Sequence, residues 1–259
     1  MIRFRSLGSG SGGNATVVEA TSGITTTRLL VDAGFSLREL DARLARAGLV
    51  AADLDAIFVT HEHGDHIGCA VALAERDALP LWMSRGTWRA VGEPVAPPGL
   101  RFARDEESIA VGDLELHPFT VAHDAAEPLQ LRCSDGSVRL VVLTDLGSIT
   151  AHMLDNVAGC DAIVLECNHD AAMLAASRYP PSLKARIGGR LGHLSNATAV
   201  EILAHCASAR LRHVVAAHLS RENNRPAIAR AALASSCGRD GEEIVVADPG
   251  TGFDWLRID

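Results

Sequence analysis

The chain has 259 residues, a formal net charge of −8 and 47% hydrophobic residues. We expect one domain over residues 1–259 with a sizeable buried core, because length and composition are those of a folded globular protein. No apolar run approaches the roughly 18 residues that span a bilayer, and the N-terminus lacks the apolar core of a signal peptide, so a cytoplasmic protein is expected. The acidic balance argues against broad wrapping of nucleic acid.

Mostly strands are predicted in the first half of the chain, because short β-branched apolar runs are bounded by turn residues. These runs lie at 17–20, 28–31, 56–59, 109–111, 114–119 and 140–143. Ser36 and Glu39 form a capping box, in which each side chain bonds the backbone of the other, and the helix that follows ends at Gly48. A second helix is predicted at 67–76.

Strands and helices alternate in the second half of the chain. Strands are predicted at 162–165, 213–217 and 244–247, and helices at 196–206 and 226–233. Ser195 caps the first of these helices, and a proline opens the second. The order predicts an α/β (α+β) protein in which helices cover two sheets, with polar residues at strand ends where loops converge.

The densest group of metal-binding side chains follows the strand at 56–59. It contains His61, His63, Asp65 and His66 within six residues. Neutral imidazoles and carboxylates are the ligands that Zn²⁺ and similar divalent ions prefer. His61 and His63 are expected to point one way, and Asp65 and His66 the other, so that the loop helps to hold two ions. The alternative is a polar surface loop that happens to be rich in histidine.

Three further candidate ligands each follow a predicted strand, namely His123, Asp145 and His218. We predict one ion held by His61, His63 and His123, a second held by Asp65, His66 and His218, and Asp145 bridging both. A histidine at a strand end is more often an ordinary polar residue, which is the alternative for each. His169 competes as a ligand or substrate contact. The ligand types suit Zn²⁺, Mn²⁺ or Fe²⁺.

The spacing His-x-His-x-Asp-His after a buried strand resembles the metallo-β-lactamase superfamily. Residues 30–34 resemble the first motif of that family, whose aspartate, here Asp32, supports the metal loop from behind. The remaining motifs correspond to residues 61–66, 123, 145 and 218, so the resemblance covers nearly the whole chain. It implies a four-layer αββα sandwich with the metals at one edge of the two sheets.

Residues 192–195, Gly-His-Leu-Ser, resemble the phosphodiesterase branch of this superfamily, which includes RNase Z and PhnP. In that branch a histidine paired with a glutamate protonates the leaving oxygen, which implies these roles for His193 and Glu166. The alternative for His193 is a residue at a helix start satisfied by backbone contacts. Too few residues separate His123 from Asp145 for the tRNA-gripping arm of RNase Z.

The most detailed resemblance is to the YycJ/WalJ-like group, in the segments 8–15, 123–125, 166–170, 179–187 and 218–224. Proteins of that group are described as 5′→3′ DNA exonucleases, so the resemblance implies a metal-dependent exonuclease with DNA as its partner. Divalent ions supply hydroxide near neutral pH by lowering the pKa of water. Asp65 would orient this nucleophile or take its proton, and His193 would protonate the leaving oxygen.

Four side chains are candidates for substrate binding. Lys184 and Arg186 would bind phosphates, with a solvated helix face as the alternative. Asn14 ends a glycine-rich loop that lacks the Gly-Lys-Ser/Thr ending of a P-loop, and it would touch substrate or only shape a turn. His169 is the fourth candidate.

Two other classes of function stay open. A small-molecule hydrolase is favoured by the acidic charge and compact length, as a cyclic phosphodiesterase or, less readily, a thioester or lactone hydrolase. A pairing of His193 with Glu166 favours phosphoesters, because an alkoxide leaving group benefits from a placed acid. A metal-binding scaffold without activity is the third reading. The sequence does not fix the oligomeric state.

Overall fold

Two β-sheets pack face to face at the centre of the fold, and helices cover both outer faces. The computed structural model describes residues 1–206, 208–238 and 240–259. This arrangement is the four-layer αββα sandwich that the sequence predicts, and it confirms the α/β (α+β) class.

Each sheet has seven strands within the described residues. In spatial order the first sheet contains β14 (Phe253–Ile258), β1 (Ile2–Gly8), β2 (Ala15–Ser22), β3 (Thr25–Val31), β4 (Ala56–Phe58), β5 (Leu81–Ser84) and β6 (Leu100–Ala103). The second contains β13 (Ile244–Val246), β12 (His213–Ala217), β11 (Ala162–Glu166), β10 (Arg139–Leu143), β9 (Leu129–Ser134), β8 (Leu114–Thr120) and β7 (Ile109–Val111). Strands β3 to β6 run parallel, as do β10 to β13, and the other neighbouring pairs are antiparallel.

The helices that cover the first sheet are α1 (Leu37–Arg46), α3 (Ala70–Asp77) and α4 (Arg85–Ala90). Those on the second sheet are α5 (Ala151–Val157), α8 (Asn196–Cys206) and α9 (Pro226–Cys237). Short helices in the connections are α2 (Gly64–Ile67), α6 (Ala171–Ala176) and α7 (Pro181–Ile187), with 3₁₀ turns at Ala51–Asp53 and Gly241–Glu243. None of the helices in the described ranges is long and apolar enough to cross a bilayer. The expectation of one domain over residues 1–259 stays a prediction.

Strands β3 and β4 are buried on both faces, which explains why their sequences are continuous apolar runs. Leu29 and Phe58 face the interior between the sheets, whereas Leu30 and Ile57 pack with the helices of the outer layer. Successive side chains of a strand point to opposite faces, and parallel strands covered on both faces therefore carry few polar residues. The predicted strands at 28–31 and 56–59 are confirmed for this reason.

The helix predicted at 67–76 is confirmed from residue 70 onward as α3, but its predicted start is wrong, because a break at residues 68 and 69 separates α3 from α2. Gly68 lies at the break with a φ of 32°, and a Cβ at this position would collide with the carbonyl oxygen of Ala33. Only glycine allows so close an approach of two backbones. Asp65 and His66 lie on the separate turn α2. Because of the break, the orientation of their side chains is not set by the axis of α3.

Only one of the two hydrogen bonds of the capping box predicted for α1 forms. Ser36 Oγ accepts a hydrogen bond from the Glu39 amide at 3.3 Å, as expected for an N-cap. The Glu39 carboxylate instead accepts from Arg43 Nε at 2.8 Å. Arg43 also donates to the carbonyl oxygens of Leu7 and Gly250, and these bonds tie α1 to both chain ends.

A buried ion-pair network links β1, β2 and β3 and gives a prediction for stability. Glu19, which is 4% exposed, accepts from Arg3 at 2.5 and 2.9 Å and from Arg28 at 2.7 Å. Burial by itself raises the pKa of Glu19, but the two guanidinium groups hold it below its usual value of 4.5. The network therefore stabilises the fold fully above that value, and its contribution is lost as the pH falls through the lower folded-state pKa.

We expect Glu19→Gln to lower the free energy of unfolding by about 2 kcal/mol at pH 7, because two arginines lose a buried charged partner. The difference from wild type should shrink as the pH falls below 4.5. Urea unfolding of both proteins at pH 7 and at lower pH measures this difference. Asp254→Asn, which removes an 84% exposed partner of Arg5, is the control and should have little effect. A loss in the free energy of unfolding of Glu19→Gln that is the same at both pH values would contradict the prediction.

Candidate metal centre

One edge of the two sheets gathers histidine and acidic side chains from distant parts of the chain. Strands β10, β11 and β12 are parallel neighbours, so their carboxyl ends lie together and present Asp145, Glu166 and His218. The loop after β4 brings residues 61–66 to the same place, and His123 arrives from the segment after β8.

Asp32, at the end of β3, holds the loop that follows β4. Its Oδ1 accepts from the Thr60 amide at 2.8 Å, and its Oδ2 accepts from His66 Nδ1 at 2.7 Å. This second bond fixes the ring so that Nε2 of His66 faces the cluster, as an outer partner does for a metal-binding histidine. Asn14 Nδ2 lies 3.0 Å from the same Nε2 and 3.1 Å from the Asp65 carbonyl oxygen. Asp32 has the supporting position that the family resemblance implies.

The first predicted triad comes together as a compact group of imidazoles. Ligand atoms of His61, His63 and His123 all lie within 4.8 Å of one another. His123 Nδ1 donates to the Gly192 carbonyl oxygen at 3.0 Å, which leaves its Nε2 at 3.3 Å from His63 Nδ1. His61 Nδ1 is paired with the Thr60 hydroxyl at 3.0 Å.

The second predicted triad lies beside the first. Ligand atoms of Asp65, His66 and His218 also lie within 4.8 Å of one another. Asp65 Oδ2 is 3.5 Å from His218 Nε2 and 3.7 Å from His66 Nε2. The Ser9 hydroxyl accepts from the His218 amide at 2.8 Å, so the glycine-rich loop supports the backbone of this residue.

Asp145 lies between the two triads, where a bridging carboxylate is predicted. Its Oδ2 is 2.5 Å from His66 Nε2, and its Oδ1 is 2.9 Å from His218 Nδ1. Asp145 can share an ion with His61 and His66, and it also belongs to a group of four with Glu166, His193 and His218. The second group makes metal binding by His193 an alternative to a role in proton transfer.

Three side chains of the site have a left-handed backbone. The φ angles of Asp32, Asp145 and His218 are 62°, 55° and 53°. This conformation costs a non-glycine residue roughly 1–2 kcal/mol and concentrates at functional sites. Each residue follows the end of a strand, so the sharp turn aims its side chain back across the sheet edge.

Buried ligand atoms without hydrogen bonds show that the site suits a cation. His61 Nε2, Asp145 Oδ2 and His218 Nε2 are buried and have no partner of hydrogen-bond geometry within the described part of the chain. The contacts of Asp145 Oδ2 with His66 and of His218 Nε2 with Asp65 are ion-pair contacts. An unsatisfied buried polar atom costs about 1–3 kcal/mol. A divalent ion would occupy the lone pairs of all three atoms, and their nitrogen and carboxylate chemistry matches its preferences. The residues therefore fit divalent metal binding.

Two of the predicted ligands, His61 and Asp145, have pKa values that favour the metal-binding form. For His66 and His218, burial lowers the pKa of the imidazole, but the neighbouring carboxylates outweigh burial and raise it. Burial lowers the pKa of His61 well below its usual range, and the neighbouring His66 lowers it further. Burial by itself raises the pKa of Asp145, but the charges of His218 and His66 hold it well below its usual range. A neutral imidazole and an ionised carboxylate are the forms that bind metals.

His193 is held by Glu166 next to the two triads. Its Nδ1 donates to Glu166 Oε1 at 2.7 Å, while Glu166 Oε2 accepts from the amides of Leu146 and Leu194 at 3.0 and 3.2 Å. The carboxylate is completely buried and cannot turn away. Burial lowers the pKa of His193, but Glu166 and Asp145 outweigh it and raise the value to about 10. The sequence-predicted pair therefore forms, with the ring orientation set through Nδ1.

The site opens on a cleft of about 360 Å³. His63, Asp65, His193 and His218 line it together with Arg186. The Arg186 side chain is 64% exposed, and its Nε donates to Asp124 Oδ2 at 2.7 Å. Arg186 is thus beside the metal groups, as a phosphate contact must be.

The other predicted substrate contacts lie outside the lining of this cleft. Lys184 Nζ donates to the Ala175 carbonyl oxygen at 2.6 Å and so caps α6. Asn14 is buried against the metal loop. His169 is 4% exposed and belongs to none of the metal-binding groups found in the described residues, although its Nδ1 has no hydrogen bond there. Substrate binding by these three residues stays a prediction.

Sequence reasoning missed three residues that support the site. Glu62 Oε1 accepts from the Ala126 amide at 2.7 Å and ties the metal loop to the segment of His123. Asp124 pairs with the guanidinium in the cleft. Gln130 bonds both the amide and the carbonyl of Thr144 and fixes the backbone before Asp145. Glu62 and Asp124 are next to predicted ligands in the sequence, and this position could have identified them. Nothing in the sequence around Gln130 indicates its role.

Comparison with known proteins agrees with this geometry. The sequence matches the beta-lactamase superfamily domain over residues 27–218. The chain belongs to the metallo-β-lactamase superfamily. A solved metallo-β-lactamase fold protein, YhfI from Bacillus subtilis, superposes with a TM-score of 0.73 at 18% identity and covers 98% of each chain.

Within the metallo-β-lactamase superfamily the chain has relatives along most of its length. Exodeoxyribonuclease YycJ of Bacillus anthracis is 36% identical over 232 residues, which are 88% of this chain and 86% of the relative. Exodeoxyribonuclease WalJ of Streptococcus pneumoniae serotype 2 (strain D39 / NCTC 7466) is 32% identical over 262 residues, with coverage of 99% and 93%. The YycJ/WalJ-like resemblance is confirmed, and this member of the metallo-β-lactamase superfamily is a metal-dependent hydrolase.

Proposed function

We propose that the protein is a dinuclear metal-dependent exonuclease that hydrolyses DNA phosphodiester bonds in the 5′→3′ direction. The observation that carries this proposal is the His193–Glu166 pair, which lies in the same cleft as the metal-binding groups. A placed proton donor suits an alkoxide leaving group, as in a phosphodiester. The two relatives named exodeoxyribonuclease support DNA as the substrate.

Two ions, Zn²⁺ or Mn²⁺ with Fe²⁺ as a further candidate, fit the donor set. The first would be held by His61, His63 and His123, the second by Asp65, His66 and His218, and Asp145 would bridge them. Bound divalent ions supply Lewis acidity, which lowers the pKa of water and neutralises charge on the phosphate.

The protein side chains act on the protons and on the position of the phosphate. Asp65 orients the attacking water through Oδ2, which is partly exposed in the cleft. The water oxygen adds to phosphorus while its proton passes to Asp65, the bond from phosphorus to the leaving oxygen breaks, and this oxygen takes a proton from His193 Nε2. Glu166 holds the opposite side of the ring through Nδ1 and stabilises the charged form.

Arg186 is the side chain best placed to bind a nonbridging phosphate oxygen. It lines the cleft, and among the described residues only its Nε is hydrogen-bonded, to Asp124, so that its other N–H groups can donate to a phosphate. Guanidinium groups bind phosphate with several parallel hydrogen bonds. We retain Asn14, His169 and Lys184 as further candidate contacts with substrate.

A small phosphodiester is the second candidate substrate. The net charge of −8 and the limited size of the cleft, about 360 Å³, favour it over a long polyanion. The two candidates share the same ligands and the same proton donor, so only the range of substrates separates them.

The test uses Mn²⁺- or Zn²⁺-loaded protein with duplex and single-stranded DNA labelled at either end, and with bis(p-nitrophenyl) phosphate. A 5′→3′ exonuclease releases a 5′ label at once as a short product, whereas a 3′ label passes through a ladder of shortening fragments. A chelator should stop both reactions. Turnover of the small diester without DNA degradation would favour the second candidate, and early release of the 3′ label would overturn the polarity.

A further inference from the structure

A second cleft lies next to the metal cleft and takes no part in the proposed chemistry. Its volume is about 320 Å³, and Ser11 lines both clefts, so the two are contiguous. Tyr179, Ser220, Arg221 and Glu222 form much of its wall.

Three segments singled out in the sequence meet at this second cleft. They are the glycine-rich loop at 8–15, the segment 179–187 and the segment 218–224, which contribute Ser11, Tyr179 and Arg221. The residues are far apart in sequence, and the folding of the two sheets brings them together beside the ligands. From these segments the metal centre takes His218 as a candidate ligand, Arg186 as a residue of the metal cleft, and supporting contacts from Ser9 and Asn14.

The polar groups of the second cleft are free to bind a ligand. The guanidinium of Arg221 makes no hydrogen bond or salt bridge with the residues described, although its charge helps to lower the pKa of Asp248. The amides of Ser11 and Gly12 likewise have no partner among those residues. Consecutive free amides and a guanidinium attract an anion.

Tyr179 adds an aromatic surface to this cleft. It is the only tyrosine of the chain, its side chain is half-buried, and its hydroxyl has no partner among the described residues. Nucleic-acid bases stack on exposed aromatic rings without sequence preference. An aromatic ring, a guanidinium and free amides in one pocket match a nucleotide. Glu222 lines the same cleft and repels a phosphate, so the attraction for a phosphate comes from Arg221 and the free amides.

We propose that the second cleft binds the nucleotide adjacent to the scissile phosphodiester, with its base on Tyr179 and its phosphate at Arg221 and the amides of Ser11 and Gly12. This inference rests on the proposed function, because it assigns a subsite for the same DNA strand. The strand would cross Ser11 between the two clefts. A small diester has no further nucleotide to place in the second cleft.

The test compares DNA with bis(p-nitrophenyl) phosphate for the variants Tyr179→Ala, Tyr179→Phe and Arg221→Gln. Tyr179→Ala and Arg221→Gln should each raise KM for DNA about tenfold, since stacking and a phosphate contact are lost. Tyr179→Phe keeps the stacking surface and should stay within about twofold of wild type. All three should leave turnover of the small diester unchanged. Anisotropy of a labelled oligonucleotide with chelator-treated protein reports binding without catalysis.

Arg139→Gln is the control for loss of one positive charge, because Arg139 lines a different cleft on the second sheet. It should leave KM for DNA unchanged. DNA degradation with an unchanged KM in both Tyr179→Ala and Arg221→Gln would overturn the inference alone. An equal loss on DNA and on the small diester would also overturn it, since the residues would then act through the metal site. Wild-type protein that degrades no DNA would overturn the proposed function and this inference with it.

Discussion

Asp145→Asn is expected to remove most of the bound metal and to lower kcat/KM by about 10³-fold. Asparagine keeps the volume and tolerates the left-handed backbone that Asp145 adopts at a φ of 55°. What it loses is the charge that faces His66 at 2.5 Å and His218 at 2.9 Å. A neutral amide also cannot offer two anionic oxygens to a pair of ions.

Metal content after dialysis and hydrolysis of labelled DNA measure the effect of this change. Asp254→Asn, on an exposed carboxylate away from the candidate ligands, should bind metal and turn over as the wild type does. Circular dichroism and thermal unfolding separate metal loss from misfolding. Asp145→Asn protein with full metal content and wild-type turnover would remove the bridging role from the proposal.

His193→Ala is expected to lower kcat on DNA by about 10² to 10⁴-fold while the metal content stays unchanged. The side chain is 25% exposed and makes its main bond to Glu166, so its removal leaves the two triads in place. The lost function is the proton donated to the leaving oxygen. A leaving group that is already a good one needs this proton less, so bis(p-nitrophenyl) phosphate should lose about tenfold or less.

The contrast between the two substrates distinguishes a proton donor from a metal ligand. His117→Ala removes a histidine outside the site, which is paired with Ser108 and Glu115, and should leave both rates unchanged. If His193→Ala protein loses metal, then the group of His193 with Asp145, Glu166 and His218 is a binding site instead. If metal is retained and both substrates lose activity equally, proton donation is excluded.

The local sequence predicted the metal loop because its ligands are close in the chain. His61, His63, Asp65 and His66 fall within one turn after a buried strand, and a loop so short has few ways to place them. The same reasoning predicted that Asp145 and His218 lie near this loop, and they do, because they follow neighbouring parallel strands whose carboxyl ends meet. Regular βα alternation was enough to predict that shared edge.

Local pattern was less successful where one residue's position depends on a distant segment. The helix predicted at 67–76 forms only from residue 70 onward, because the Ala33 backbone packs against Gly68 and interrupts it there. His169 follows a buried strand as His218 does. It nevertheless lies outside the ligand groups of the described residues, because its backbone pairs with Ser195 rather than turning across the sheet edge.

The sequence by itself determined the two-sheet class, the clustering of candidate ligands at residues 61–66 and the chemical type of each candidate ligand, since these follow from periodicity and from side-chain chemistry over a few residues. The tertiary structure alone decided which polar groups meet. It placed Gln130 behind Asp145, and it put Tyr179 and Arg221 into one cleft beside Ser11. Such contacts join segments that are distant in the chain, and only the order of strands in the sheets and the packing of the four layers fix their distances.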